Sequence, residues 1–178
     1  MAKPRILGIS GSLRRESFNT AVLNTVKEAL ADKIDMTLHP LGDIPLFNQD
    51  DEGDPAKSVT ALRDAIRNAD ALIVSSPEYN HSTSGVLKNA LDWASRPFGQ
   101  SSYAGKPVLI ITASPAATGG ARAHSHLYDV FLASDAKVIG GPQIAVAGAG
   151  GKVSDGRLTD QATVEFISKA VDRLTQAI

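Results

Sequence analysis

A group of polar side chains between residues 10 and 20 follows the first apolar run and precedes a helical pattern. Its hydroxyl, amide and guanidinium groups belong to Ser10, Ser12, Arg14, Arg15, Ser17, Asn19 and Thr20. A helix N-terminus favours a phosphate because free N–H groups and the positive end of the helix dipole lie there. An arginine can also bond two phosphate oxygens at once. The segment therefore predicts a phosphate site; the alternative is an ordinary loop in which Ser17 or Asn19 only caps the helix.

The spacing of this loop differs from two common nucleotide-binding motifs. It matches neither the G-x-x-x-x-G-K-[ST] pattern of P-loop proteins nor the G-x-G-x-x-G pattern of dinucleotide-binding folds. The sequence therefore gives little support to an ATPase or to a Rossmann-type dinucleotide site.

Two further loops place small and polar residues after apolar runs. Segment 75–85 contains a proline, an aromatic ring and several hydrogen-bonding side chains, and segment 114–122 is rich in small residues. A planar ring can stack against the first segment, and small residues let a flat ligand approach the backbone of the second. Each loop alone has an equally good structural explanation. In segment 75–85, Pro77 turns the chain and Ser82 or Ser84 caps a helix, and segment 114–122 is a plain flexible connection.

Short apolar runs alternate with helical patterns along the chain. The runs typical of buried parallel strands are 5–10, 69–75 and 107–113, with weaker candidates at 34–39 and 136–146. Apolar residues at three- and four-residue spacing predict helices over 21–30, 59–69, 85–94, 127–134 and 164–178.

This alternation predicts an α/β protein, a flavodoxin-like three-layer sandwich around a five-stranded parallel sheet in the order 2-1-3-4-5. We interpret residues 1–178 as a single domain, with 147–152 as a flexible loop before the last helix. Ligands of such sheets bind where the strand order reverses, outside the carboxyl ends of the strands. All three polar loops should meet there, and a phosphate site joined to a slot for a flat ring fits a mononucleotide such as FMN.

The composition excludes several classes of protein. A formal charge of −1 over 178 residues argues against a nucleic-acid partner and against a strongly acidic electron carrier. The chain has no cysteine, which rules out disulfides, Fe–S clusters and thiol nucleophiles. Without a membrane-length apolar run or a signal peptide, we expect a cytoplasmic protein with no membrane partner. His124 and His126 point to different faces of a helix, so no metal site is predicted.

Three segments of the chain resemble the NADPH-dependent FMN reductase family, which includes bacterial flavin-dependent quinone, chromate and azo-dye reductases. The segments read GSLRRESFN (11–19), SSPEYNHSTSGVLKNALDWASRP (75–97) and SPAATGGARA (114–123). The similarity extends over nearly the whole chain, and the middle segment is its most specific part.

The resemblance implies roles for the matching residues. In the family, the first segment wraps the FMN phosphate, PEYN runs along the isoalloxazine ring, and the third segment lies over the other edge of the ring. Phosphate binding is thereby assigned to Ser10, Ser12, Arg14, Ser17, Asn19 and Thr20. Contact with the ring is assigned to Pro77, Glu78, Tyr79, Asn80, Ser82, Ser114, Gly119 and Gly120. No catalytic acid or base is assigned, because the flavin performs the difficult chemistry.

The activity implied is transfer of electrons from NADPH or NADH through bound FMN to quinones, flavins, chromate or azo compounds. We expect donor and acceptor to use one site in turn. The alternative is a flavodoxin-type FMN electron carrier without NAD(P)H activity. The resemblance also implies a homodimer or homotetramer with Trp93 at or near the subunit contact. The chain differs from the family pattern in one place: it has His124, Ser125 and His126 where the family often has a Gln. The choice of electron acceptor and the oligomeric state are therefore left open.

Overall fold

Helices and strands alternate through the computed structural model, which describes residues 2–178. The strands are β1 (Arg5–Ser10), β2 (Asp35–His39), β3 (Ala71–Ser76), β4 (Pro107–Ala113), β5 (Lys137–Val138), β6 (Ile144–Val146), β7 (Val153–Ser154) and β8 (Arg157–Leu158). The α-helices are α1 (Phe18–Ala29), α2 (Lys57–Asn68), α3 (Gly85–Ala94), α4 (Ala121–Ala133) and α5 (Gln161–Gln176). Single 3-10 turns span Gln49–Asp51 and Ala149–Gly151.

The main sheet is parallel and has the strand order β2-β1-β3-β4-β5, which confirms the predicted flavodoxin-like arrangement. Register pairs Ser10 with Ser75 and Ser76 with Thr112, so the carboxyl ends of β1, β3 and β4 lie along one edge. The loops that follow these three strands are therefore neighbours. No helix in residues 2–178 is long and apolar enough to cross a membrane.

Side chains of the central strands alternate between two cores, one on each face of the sheet. Ile73 packs with residues of α1 and α5, such as Leu23 and Val171, on one face. Its neighbours Leu72 and Val74 pack with α2, α3 and α4 on the other. Both faces of β3 and β4 are buried, which explains why these strands read as continuous apolar runs rather than alternating ones.

The fifth position in the sheet differs from the single strand predicted over 136–146. Two short strands occupy it: β5 pairs with the start of β4, and β6 pairs with its end. Between them lie Gly140, Gly141 and Pro142. Gly141 has a φ of 127°, and proline lacks the N–H that a ladder needs, so the strand cannot continue through them. Segment 147–152 is also more ordered than predicted, because it contains a 3-10 turn and leads into the β7–β8 hairpin.

Trp93 does not lie on the surface, so it cannot itself form the subunit contact that the resemblance implies at or near this residue. It is 1% exposed, its indole N–H donates to the Pro45 carbonyl over 2.8 Å, and its ring packs edge-on against Phe47. The long segment after β2 therefore covers it. Leu87 and Leu91 of the same helix face the core. The apolar face of this helix is thus satisfied within the chain.

Candidate functional site

The three polar loops enclose a cavity of about 190 Å³ at the carboxyl edge of the sheet. Most of the predicted site residues line it, namely Ser12, Arg14, Ser17, Asn19, Pro77, Glu78, Tyr79 and Ser114. The other predicted residues lie around the cavity without lining it: Ser10, Thr20, Asn80, Ser82, Gly119 and Gly120. The strand order therefore brings together residues that are about 100 positions apart in the chain.

The loop between β1 and α1 presents several unpaired backbone donors. Ser17 caps α1 by accepting a hydrogen bond from the Thr20 N–H over 3.2 Å. The N–H groups of Ser12, Leu13, Phe18 and Asn19 have no acceptor within residues 2–178. Exposed N–H groups beside the positive end of a helix dipole suit an anion.

Two arginines of this loop are exposed and form no ion pair within the described part of the chain. The Arg14 guanidinium lies 5.6 Å from the centre of the Phe18 ring, and both side chains line the cavity. Arg15 instead lines an adjoining groove of about 540 Å³ between this loop and the β7–β8 hairpin, which Arg14, Ser17, Phe18 and Thr20 also line. Arg14 is therefore the arginine that can reach a ligand in the cavity.

Three of the predicted phosphate ligands are already engaged through their side chains. The Asn19 amide donates to the Ala113 carbonyl over 3.1 Å and accepts from the Ala113 N–H and the Ser75 hydroxyl. The hydroxyls of Ser10 and Thr20 bond each other at 2.8 Å. Asn19 thus joins α1 to β3 and β4, and it keeps only its backbone N–H for a ligand.

The loop after β3 ends in a tight turn on one wall of the cavity. Tyr79 and Ser82 exchange two backbone hydrogen bonds of 3.0 Å, while Asn80 and His81 have φ values of 48° and 65°. Left-handed backbone is uncommon outside glycine, although Asn and His tolerate it better than most residues. Such positions cost roughly 1–3 kcal/mol each and persist only where the surroundings hold them. The Tyr79 side chain is 52% exposed.

The surroundings hold this turn through α4. The Glu78 carboxylate accepts hydrogen bonds from the N–H groups of Arg122, at 2.9 Å, and Ala123, at 3.2 Å. At the other end of the turn, Ser82 Oγ lies 2.9 Å from His126 Nδ1. Glu78 therefore serves α4 as an N-terminal cap, and its carboxylate is only partly available to a ligand.

Gly119 and Gly120 shape the third loop by close packing. Both have positive φ values, 61° and 92°. A Cβ on Gly119 would lie 2.7 Å from the Ala145 carbonyl carbon, and one on Gly120 would lie 2.9 Å from Thr112 Cβ. Both residues are buried and do not line the cavity, so they act by setting the path of the chain into α4.

No group of three or more His, Asp or Glu side chains within residues 2–178 has the geometry of a metal site. The histidines of α4 have separate environments. Burial lowers the pKa of the His124 imidazole, whereas His126 reaches the turn after β3.

Comparison with known proteins identifies the family. The profile described as NADPH-dependent FMN reductase matches residues 4–151. This chain belongs to that family. It is 39% identical over 173 residues to an NAD(P)H-dependent FMN reductase of Pseudomonas aeruginosa, covering 96% of this chain and 92% of the relative. It is 37% identical over 167 residues to a quinone reductase of Pseudomonas putida, covering 93% and 89%.

A solved structure agrees with this membership. The flavoenzyme NAD(P)H:(acceptor) oxidoreductase FerB of Paracoccus denitrificans superposes with a TM-score of 0.87 at 32% identity, covering 98% of each chain. As an FMN reductase family member, the protein is an oxidoreductase that uses FMN and a reduced nicotinamide.

The cavity of this FMN reductase family member fits the cofactor in chemistry. A phosphate needs several converging donors, which the unpaired N–H groups, the hydroxyls of Ser12 and Ser17 and the Arg14 guanidinium provide. A flat ring needs a slot with apolar and backbone walls, which Pro77 and the loop after β4 offer.

Sequence reasoning missed four residues of this site. Phe18, Ala113 and Pro115 line the cavity, and His126 contacts the turn that forms its wall. Phe18 and Pro115 lie inside the segments that resemble the family, so their place at the site could have been predicted from the sequence. Nothing local indicates that His126 reaches Ser82, because the two are 44 residues apart.

Proposed function

We propose that the protein is an NAD(P)H-dependent quinone reductase whose FMN lies in the cavity between the three loops. The observation that carries the proposal is the convergence of these loops: polar groups of the first loop line the same cavity of about 190 Å³ as Pro77 of the second loop and Pro115 of the third. Quinones are the favoured acceptors because the relatives from Pseudomonas putida and Escherichia coli are named quinone reductases.

The first loop would bind the phosphate. Its donors are the N–H groups of Ser12, Leu13, Phe18 and Asn19, the hydroxyls of Ser12 and Ser17, and the Arg14 guanidinium. Ser10 and Thr20 would not contact the phosphate through their hydroxyls. Their mutual hydrogen bond would instead hold the loop in place, because it joins the end of β1 to the first turn of α1. The exposed position of Arg14 leaves its guanidinium able to turn toward the anion.

The second and third loops would hold the ring. Pro77 and Tyr79 of the second loop and Ser114 of the third loop line the cavity. Asn80, Ser82, Gly119 and Gly120 would shape the walls of the cavity from outside. Glu78 would contribute mainly through α4, because one carboxylate oxygen accepts both N–H groups there.

Bound FMN would supply the redox chemistry, namely acceptance of a hydride from NAD(P)H and delivery of two electrons to an acceptor. The chain would position the reactants and exclude water from the covered side of the ring. No side chain that lines the cavity is proposed as a general acid or base.

Donor and acceptor would use one shared place in turn. The loops after β3 and β4 both border the cavity, and with FMN bound they would leave one face of the ring open to a second planar molecule. Such exclusion gives ping-pong kinetics. An open side also tolerates acceptors of different shape, and we extend the proposal to free flavins, chromate and azo compounds.

A homodimer or homotetramer is part of the same proposal, with the subunits in contact through a surface that does not include Trp93.

The test is spectroscopic. Purified protein loaded with FMN should lose its visible flavin absorption when NADPH or NADH is added without oxygen. It should regain that absorption when a benzoquinone follows. Reduction by the nicotinamide without reoxidation by any quinone would remove quinones from the proposal. Absence of reduction would favour the electron carrier.

A further inference from the structure

Helix α4 begins without a capping side chain of its own. Gly120 occupies the N-cap position, where serine, aspartate or asparagine would ordinarily accept a hydrogen bond from the first turn. Close packing excludes those residues, because a Cβ on Gly120 would lie 2.9 Å from Thr112 Cβ. The amides at the start of α4 therefore need an acceptor from elsewhere in the chain.

Glu78 supplies that acceptor from the loop after β3. One carboxylate oxygen, Oε2, accepts the N–H groups of both Arg122 and Ala123. The other oxygen lies 4.0 Å from an Arg122 guanidinium nitrogen. A negative charge at this position also complements the positive end of the helix dipole. The contact joins residues that are 44 positions apart.

A second contact one helical turn later holds the far end of the same turn. His126 stands four residues after Arg122, so both project from one side of α4. Its Nδ1 lies 2.9 Å from the Ser82 hydroxyl. The left-handed pair Asn80 and His81 lies between the two contacts, and the turn is thus fastened to α4 at both ends.

We propose that Glu78 and His126 are positioning residues that clamp the turn 79–82 to α4 and thereby set the width of the slot for the flavin ring. The inference rests on the proposed function, because the slot matters only if the ring occupies it. Neither residue acts as a proton donor or acceptor in this account. They act through the backbone of the turn and through the start of α4.

The first measurement uses the protein without flavin. Amide hydrogen exchange followed by NMR should show faster exchange at Arg122 and Ala123 in the Glu78→Ala variant, by about tenfold for the loss of a cap. Glu78→Gln should restore slow exchange, because one oxygen suffices for both N–H groups in the structure. Unchanged exchange in Glu78→Ala would overturn the clamp.

The second measurement compares the binding of FMN and riboflavin by fluorescence titration. Because the clamp acts on the ring and not on the phosphate, Glu78→Ala should weaken both flavins by a similar factor, about tenfold. Glu78→Gln should bind both nearly as tightly as the native chain. The matched control is Asp160→Ala, which removes the carboxylate that caps α5 through the Thr163 N–H. It should lower the melting temperature without changing flavin affinity.

His126→Ala provides an independent variant that leaves the cap of α4 in place. It should weaken both flavins by a smaller and again equal factor, and the native affinity in this variant would remove His126 from the clamp. If the native chain bound neither flavin, the proposed function and the clamp would both fall. If it bound both flavins, and Glu78→Ala bound them equally tightly, the clamp alone would fall.

Discussion

The side-chain amide of Asn19 forms two hydrogen bonds with the backbone of a single residue, Ala113. Its Nδ2 donates to the Ala113 carbonyl and its Oδ1 accepts from the Ala113 N–H, each over 3.1 Å. Asn19 is 2% exposed and also accepts from the Ser75 hydroxyl. A residue placed among the phosphate ligands by resemblance thus holds the start of α1 against the edge of the sheet.

We expect Asn19→Asp to destabilise the fold. The substitution removes the donor to the Ala113 carbonyl and places a buried carboxylate against that oxygen, which should cost about 2–4 kcal/mol of unfolding free energy. Urea unfolding of the protein without flavin measures this cost. Asn24→Asp, on a half-buried position of the same helix, is the control and should cost much less. Equal losses at the two positions would contradict a special role for the Asn19 amide.

Replacement of Arg14 should weaken the binding of FMN, which carries a phosphate, more than the binding of riboflavin, which does not. If the guanidinium pairs with the phosphate dianion, Arg14→Ala weakens FMN by roughly 1.5–3 kcal/mol and riboflavin much less. Isothermal titration with both flavins provides the comparison. Arg15→Ala is the matched control, because Arg15 lines the adjoining groove and not the cavity itself. A larger FMN loss in that variant would transfer the role to Arg15.

Each chain should bind one FMN and not FAD. Only one of the loops that line the cavity is proposed to bind phosphate, and the chain lacks the G-x-G-x-x-G motif of many dinucleotide sites. Mass spectrometry of the cofactor released by heat identifies the flavin, and its absorbance against protein concentration gives the ratio. Recovery of FAD from the purified protein would contradict this assignment.

Steady-state kinetics should show that donor and acceptor exclude each other. Initial rates with NADPH and a benzoquinone both varied should give parallel double-reciprocal lines, the pattern of a ping-pong mechanism. High concentrations of the quinone should also inhibit competitively against NADPH. Intersecting lines would indicate a second pocket and a ternary complex.

Light scattering at micromolar concentration should show a dimer or tetramer. Several large apolar side chains remain exposed on the chain and are available for such contact, including Leu46, Phe98 and Leu132, which are 85%, 89% and 59% exposed. Burial of apolar area drives association, so Phe98→Asp should shift the mass toward the monomer if that residue lies in the contact. A monomeric native chain would refute the prediction.

Local sequence determined the central elements of the fold. Strands β1 and β4 and helix α3 have the bounds that were predicted, because each is an apolar run or stripe flanked by polar residues, Gly or Pro. Helix α1 begins at Phe18, three residues before the predicted start, where Ser17 caps it. Helix α4 begins at Ala121, six residues before its clearest apolar stripe, because its first turn is stabilised from outside the helix.

The roles of individual site residues depended on contacts that no local pattern contains. The sequence indicated which loops would meet, since parallel strands bring their carboxyl ends to one edge. It did not indicate that the Asn19 amide would hydrogen-bond to Ala113, 94 residues away, or that Glu78 would cap α4, 44 residues away. Hydrogen-bond partners at such separations are chosen by packing in three dimensions. Residue type and spacing therefore located the site, and the tertiary structure decided which of its side chains remain free for a ligand.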